Sequence, residues 1–592
     1  MPPQRAGRGQ GVSRVLTGQD VVGRASQRFY DAAMLSPDIV RALPMLALTL
    51  ACMSVRGFAA GQVPPAQSAP PTPAVVDVAK PVVPAVPTKD VIRVTLPKES
   101  AALLGSESRA GRMLVFLAAE SALQQGEEPL DAPFFASPQP MYSVAVSDLV
   151  PGAAVTLGAD AIAFPEPIAM LDGTYRIQAV FDRNDTERGH LAAGNLISGV
   201  STVTFHRDQS DPHELTLTVR IPKPELPTEP NLRWFEMKSA ILSRAAGREV
   251  VMRAGVALPT GWDDPNFRRR MFPAVYVVPG FGGRYTSASS IARMLVTPGT
   301  REVMPQAVWI VLDPETALGH HGFVDSPANG PWAKALTEEF IPELERQFRL
   351  IPRTEARIVT GHSSGGWSSL WLQLTHPETF GACFSSSPDP LDFSKFQAGD
   401  LYADTSIFTD SDGKERPSYR VPLTQQFDKT RMTVRDEVSM ERVLGPARNS
   451  GEQWDAWSAM WSTLDPVTKL PRPMFEPVTG TIDHGVVRNE WARYDIAALL
   501  RADPARYVPI LRERVRLLCG ARDSYYLDRG VQGLKDALQA AMSSMQATGQ
   551  MLPDGPGYIE IVPEETHDTM GTSSRLRWNS EMREYLQSRK LD

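Results

Sequence analysis

The hexapeptide Gly361-His362-Ser363-Ser364-Gly365-Gly366 constrains the fold of this chain more tightly than any other feature. It follows a run rich in β-branched residues (ARIVT, 356–360) and opens a segment that reads as a helix, so it predicts a strand, a sharp turn and a helix. Glycines at 361 and 365 let the backbone turn where a side chain would strike neighbouring elements. Such a turn lifts the serine off the end of the strand. A plain Gly/Ser turn is the alternative, but a Gly-x-Ser-x-Gly pentapeptide in this context favours a nucleophile. The pentapeptide registers on Ser363, which leaves the amide of Ser364 to donate to an oxyanion.

The surroundings agree with that reading. From about residue 227 apolar strand runs alternate with amphipathic helical runs, the pattern of a mostly parallel sheet flanked by helices. The strand runs are AVYVVPG (274–280), AVWIVLD (307–313), ARIVTGHS (356–363), GACFSSSP (381–388), VRLLCGARD (515–523) and YIEIVPEETHD (558–568). Sheets of this kind place ligands at the carboxyl ends of their strands. A serine nucleophile needs a base, and the base needs an acid to hold its tautomer. His567 is the only histidine after the penultimate strand and falls at the carboxyl end of the last one, whereas His362 sits in the elbow itself. Asp523 leaves the end of the strand before it. Asp528, further along, and Asp389, after the GACFSSSP strand, compete for the role of acid. For the oxyanion, Pro279-Gly280-Phe281-Gly282-Gly283 ends an earlier strand and offers the amide of Phe281 beside that of Ser364. A plain turn is the other reading of these glycines; neither the P-loop nor the dinucleotide fingerprint is present.

A chain of 592 residues is too long for one core, so at least two folded units are expected. Lys+Arg 61 against Asp+Glu 68 lacks the basic excess that a nucleic-acid partner demands. Three scattered cysteines, Cys52, Cys383 and Cys519, make neither a disulfide framework nor a Cys-based metal site. The apolar stretch ALPMLALTLACMSV (42–55) is short of the ~20 residues a membrane span needs and reads as a signal h-region with cleavage near Ala60 or Gly61. Residues 1–60 are then an N-terminal extension with signal peptide, and the mature chain is periplasmic or secreted, with no stable membrane span. A Pro-rich linker follows at 61–90. Short β-rich runs, including RMLVFLAA (112–119) and YRIQAVFD (175–182), then predict a small β-sandwich domain over 91–226. His190, His206 and His213 in it are isolated and carry no ligand pattern.

Together PGFGG, GHSSGG and the Asp-then-His ends of the last two strands resemble the α/β-hydrolase superfamily, over roughly residues 230–592. Within it the chain is similar to the putative esterase family, which includes ferric enterobactin, feruloyl and acetyl-xylan esterases. The segments DSPANGPW (325–332) and SPDPLDF (387–393) look like its enterochelin-esterase-like subgroup. That family usually carries a histidine where Pro279 stands, so one orienting side chain is missing. The resemblance implies an α/β-hydrolase fold over 227–592. The gap of 160 residues from Ser363 to Asp523 marks a cap insertion at about 394–490. Trp454, Trp457 and Trp461 in the cap form either a packing stripe or an aromatic wall for substrate. A basic pocket from Arg416, Arg420 and Arg442 would suit a ferric catecholate. The expected activity is serine hydrolysis of a small-molecule or glycan-linked carboxylic ester, with no metal or cofactor. Peptidase, acyltransferase and a non-catalytic binding protein are the other readings of the same residues.

Overall fold

Alternation of buried residues on the strands organises the catalytic half into three layers. The computed structural model describes residues 92–591 apart from 133, 207–211, 425–426 and 446, so the signal and linker segments lie outside the described residues. Eight strands form one sheet: β1 (Leu232–Lys238), β2 (Val251–Ala257), β3 (Ala274–Val278), β4 (Val308–Leu312), β5 (Arg357–His362), β6 (Ala382–Ser386), β7 (Val515–Gly520) and β8 (Tyr558–Val562). Their spatial order is β1-β2-β4-β3-β5-β6-β7-β8. β2 pairs antiparallel with both β1 and β4, and every later pairing is parallel. That order and that single reversed strand are the α/β-hydrolase arrangement expected from the elbow and its flanking strands.

The parallel strands are buried on both faces, which is why they read as unbroken apolar runs. Tyr276, Ile310, Val359, Cys383 and Leu517 face one layer, where they meet Trp367 and Leu370 of α1 (Ser364–Thr375). Val275, Trp309, Ile358, Phe384 and Leu518 face the other. The chain between β6 and β7 carries the cap, including a hairpin over residues 417–433, α2 (Val434–Leu444) and α3 (Gln453–Trp461). After β7 come α4 (Asp528–Ala547) and, after β8, α5 (His567–Ser588). Val531 and Leu534 of α4 join the α1 side of the sheet, and Met570, Trp578 and Met582 of α5 cover the opposite side. Among the described residues no helix is long and apolar enough to cross a membrane.

The N-terminal unit is a nine-stranded sheet running from Ile92–Thr95 to His213–Arg220. The last strand changes partner along its length. Residues 213–216 pair parallel with Ile92–Thr95, and the register then passes to Leu196–Ser198 in antiparallel sense. One face encloses Met113, Val115, Phe181 and Leu215 in a core of its own. The opposite face, with Leu114, Phe116 and Val180, packs on Met432, Met440 and Val443 of the cap. The N-terminal unit therefore rests on the lid of the catalytic unit.

Candidate active site

β5 runs parallel between β3 and β6 and stops at His362, where the chain turns so sharply that Ser363 takes φ 60° and ψ −129°. A non-glycine residue in that conformation costs on the order of 1–3 kcal/mol. Three backbone bonds hold it there: Ser363 N donates to Ser386 O at 2.9 Å, while Ser363 O accepts from Trp367 N at 3.0 Å and Asp389 N at 3.4 Å. The glycines answer to close packing. A Cβ at Gly361 would lie 2.1 Å from Gly365 O, and one at Gly365 would lie 2.0 Å from Val278 O. The helix opens at Ser364, directly after the serine.

Beyond β7 the chain bends, and Asp523 is fully buried three residues past the strand end. Its Oδ1 accepts from Tyr525 N at 2.9 Å and Leu527 N at 3.4 Å, and its Oδ2 meets His567 Nδ1 at 2.8 Å. His567 is not on the last strand, which ends at Val562. It is the first residue of α5, behind the N-cap Thr566 whose side chain accepts from Thr569 N. The imidazole lies between the rings of His362 (4.4 Å) and Tyr525 (4.9 Å). Burial opposes charge on both partners of the Asp523–His567 pair, yet their mutual attraction and hydrogen bond outweigh it. Asp523 is held below the ordinary carboxyl range and His567 is raised above 6.5. Among the described residues no hydrogen bond joins Ser363 Oγ to the ring; such a bond commonly tightens only around substrate.

The competitors have other partners. Asp528 opens α4 and pairs with Arg420 at 3.3 Å. Asp389 is buried and accepts from Ser364 Oγ at 2.7 Å and from Trp457 Nε1 at 2.8 Å, so it ties the elbow helix to the cap. His362 turns its Nδ1 to Ser386 Oγ at 3.1 Å, and burial followed by the neighbouring His567 keeps it far below the usual histidine range.

The loop after β3 comes up against the elbow: a Cβ on Gly280 would lie 3.2 Å from Ser363 Cβ. Among the described residues neither Phe281 N nor Ser364 N donates to a protein acceptor. Two side chains that sequence reasoning passed over brace this loop. His320 Nε2 donates to Pro279 O at 2.9 Å while its Nδ1 accepts from Gly322 N at 3.1 Å, which fixes the tautomer. His320 lies after β4, in the stretch GHHG, and reaches back to the residue before the loop's first glycine. The second is Arg188, from the N-terminal unit, whose guanidinium lies 4.3 Å over the Phe281 ring.

The cap resolves the two substrate readings of its side chains. Trp454, Trp457 and Trp461 are buried among Phe393, Phe396 and Trp491 and form a packing cluster. Arg416 is paired with Asp404, and Arg420 with Asp428 and Asp528. A cavity of 590 Å³ at this side is lined by Lys395, Asp404, Arg416, Asp528 and Arg529, with neither Ser363 nor His567 in its wall. His190 in the N-terminal unit is half-buried against Phe116, and among the described residues no group of acidic, His or Cys side chains could hold a metal. Cys383 and Cys519 are free and buried in β6 and β7.

The Putative esterase family matches residues 243–528. An iron(III) enterobactin esterase of Escherichia coli O6:H1 is 30% identical over 87 residues, 15% of this chain and 21% of that protein, so the chain spans about a fifth of that relative's length. A ferulic acid esterase structure is 13% identical with a TM-score of 0.35, covering 60% of this chain and 97% of its own. An S-formylglutathione hydrolase from Agrobacterium tumefaciens is 15% identical with a TM-score of 0.32, covering 59% and 94%. The strand order, rather than these distant superpositions, establishes the fold. Residues 243–528, which carry the elbow and most of this α/β-hydrolase sheet, match the Putative esterase family.

Proposed function

We propose that the protein is a secreted serine carboxylic ester hydrolase in which Ser363 is the nucleophile, His567 the base and Asp523 the acid that orients it. The observation that carries this reading is the buried 2.8 Å bond from Asp523 to His567 Nδ1, which leaves Nε2 as the proton acceptor. Ser363 Oγ attacks the ester carbonyl carbon as His567 Nε2 takes its proton. The carbonyl oxygen gains the negative charge and accepts hydrogen bonds from the amides of Phe281 and Ser364. Collapse of the tetrahedral adduct breaks the ester C–O bond, and His567 returns the proton to the departing alcohol. Water, deprotonated by the same nitrogen, then attacks the acyl-enzyme carbonyl and releases the carboxylic acid.

The substrate reading is a carboxylic ester of enterochelin-esterase-like or feruloyl type, drawn from the family and its relatives. Arg416, Arg420 and the cap tryptophans lend no support to a ferric catecholate or sugar platform built from them, because their charges and rings are already used within the protein. Export rests on the h-region at 42–55. Purified protein and its Ser363→Ala variant, assayed on p-nitrophenyl esters, feruloylated and acetylated glycans and siderophore lactones, test the reading. Hydrolysis of one class by the wild type and its loss in the variant is the expected result; equal activity in both overturns it. Amino-terminal sequencing of protein from periplasm or medium should begin near Ala60 or Gly61, and an uncleaved cytosolic chain overturns the export claim.

A further inference from the structure

We propose that Arg188, a residue of the N-terminal unit, is a positioning residue of the esterase site that fixes the oxyanion loop. The inference rests on the ester-hydrolase reading above. It starts from a loop whose shape is set by its own side chains. After the strand Gly173–Asp182, Asn195 Oδ1 accepts from Arg183 N at 2.9 Å and Asn184 N at 3.2 Å. Asn184 Oδ1 in turn accepts from Thr186 N and Glu187 N at 2.8 and 2.9 Å. Side-chain amides that accept from neighbouring backbone N–H groups in this way are a usual means of holding a loop without regular structure. What the loop presents to the catalytic unit is Glu187 and Arg188.

Arg188 joins three segments that are far apart in sequence. Its Nε donates to Glu315 at 3.1 Å, beyond β4, and its Nη1 to Glu452 at 2.9 Å, at the start of cap helix α3. Its plane lies 4.3 Å from the centroid of Phe281. Glu315 also accepts from Gly282 N at 3.3 Å, so ring and backbone of the oxyanion loop are gripped by one ion cluster. The preceding residue holds the loop's far end. Glu187 lies 3.8 Å from Arg284, which is itself clamped on Asp313 by two bonds of 2.8 and 3.0 Å.

Charge decides what kind of role this is. One guanidinium faces two carboxylates, a net of −1, so the cluster cannot itself stabilise an oxyanion. Its effect must come through geometry: the Phe281 amide is useful only where the oxyanion forms, and a displacement near 1 Å costs about 10²-fold in rate. A planar guanidinium can stack and bond in two directions at once, which a lysine cannot.

The test uses the full chain with Arg188→Ala, Arg188→Lys and, as a control for mere loss of stability, Val115→Ala in the N-terminal core. Steady-state kinetics on a p-nitrophenyl ester and the rate of Ser363 labelling by a fluorophosphonate are measured below the melting transition of every variant. Arg188→Ala should lower kcat and the labelling rate by about 10- to 100-fold with KM within about threefold, Arg188→Lys should fall between, and Val115→Ala should leave both rates unchanged. An Arg188→Ala enzyme within twofold of wild type in both rates, or one in which only KM rises, overturns the positioning role and leaves the ester-hydrolase reading standing. A wild type that neither hydrolyses nor labels overturns both.

Discussion

The elbow and the oxyanion loop lie against one another, yet they are built in opposite ways. Within six residues the elbow contains its strand end, its three close-packed glycines, its strained serine and its helix start. The loop at Pro279–Arg284 is shaped from outside. His320 holds its first carbonyl, Arg188 its ring, Glu315 a backbone amide, and Asp313 with Glu187 its last side chain. A nucleophile must protrude at one fixed point, which a short local turn achieves by sterics alone. Amides that serve an oxyanion must be aimed, and aiming a glycine-rich loop takes contacts from several directions. The difference teaches that a loop facing the elbow can be held from another folded unit: the N-terminal unit supplies two of those contacts.

The largest effect should come from the acid. Asp523→Asn should reduce kcat by about 10⁴-fold, since the amide favours the wrong tautomer of His567. Asp389→Asn should cost less than about tenfold because Asp389 bonds to Ser364 and Trp457 and not to the base. If Asp389→Asn proves the crippling change in a kcat comparison, the acid is misassigned while the fold stands. Glycine substitutions sharpen the contrast next. Gly365→Ala drives a methyl into the Val278 carbonyl and should destabilise the enzyme by about 1–3 kcal/mol with loss of activity. Gly282→Ala, at φ 76°, brings a methyl to 3.1 Å from the clamped Arg188 guanidinium and should cost about 1 kcal/mol in chemical denaturation.

A smaller change is expected at the histidine brace. His320→Phe keeps an aromatic ring but loses the donor to Pro279 O, and kcat should drop about tenfold with KM little altered. An effect on KM alone would show that the brace shapes substrate binding instead. The mildest test is pH. His567 must be neutral to accept a proton, and Asp523 raises its pKa despite burial, so the acid limb of kcat/KM should lie above pH 6.5 in the wild type. Asp523→Asn should move that limb to lower pH in its residual activity. A limb below 6.5 in the wild type would mean that Asp523 does not face the catalytic imidazole.

The same contrast explains what could be read in the sequence. The elbow was legible because all its constraints are contiguous, and the parallel strands were legible as long apolar runs. β1 and β2 were not among the expected strands. LRWFEMK and VMRAGVA are interrupted by charge or glycine, as suits the antiparallel margin of the sheet. His567 reads as a strand end because the apolar run YIEIV leads into it, whereas Thr566 caps a new helix there. His320 carried no signal beyond its position after an apolar strand, and Arg188 carried none, since its partners lie 127 and 264 residues away. One hint of the docked N-terminal unit was present. RMLVFLAA runs apolar without alternation, and a strand with one wet face would alternate. Its second face is the one packed on Met432, Met440 and Val443.

Covalent capture tests most directly whether Ser363 carries the attacking oxygen. Protein incubated with a fluorophosphonate should gain one adduct by intact mass, mapped by peptide fragmentation to Ser363 and absent from Ser363→Ala, with ester hydrolysis lost in step with labelling. An adduct on Ser364 or elsewhere, or hydrolysis that persists at wild-type rate after Ser363 is blocked, would contradict it.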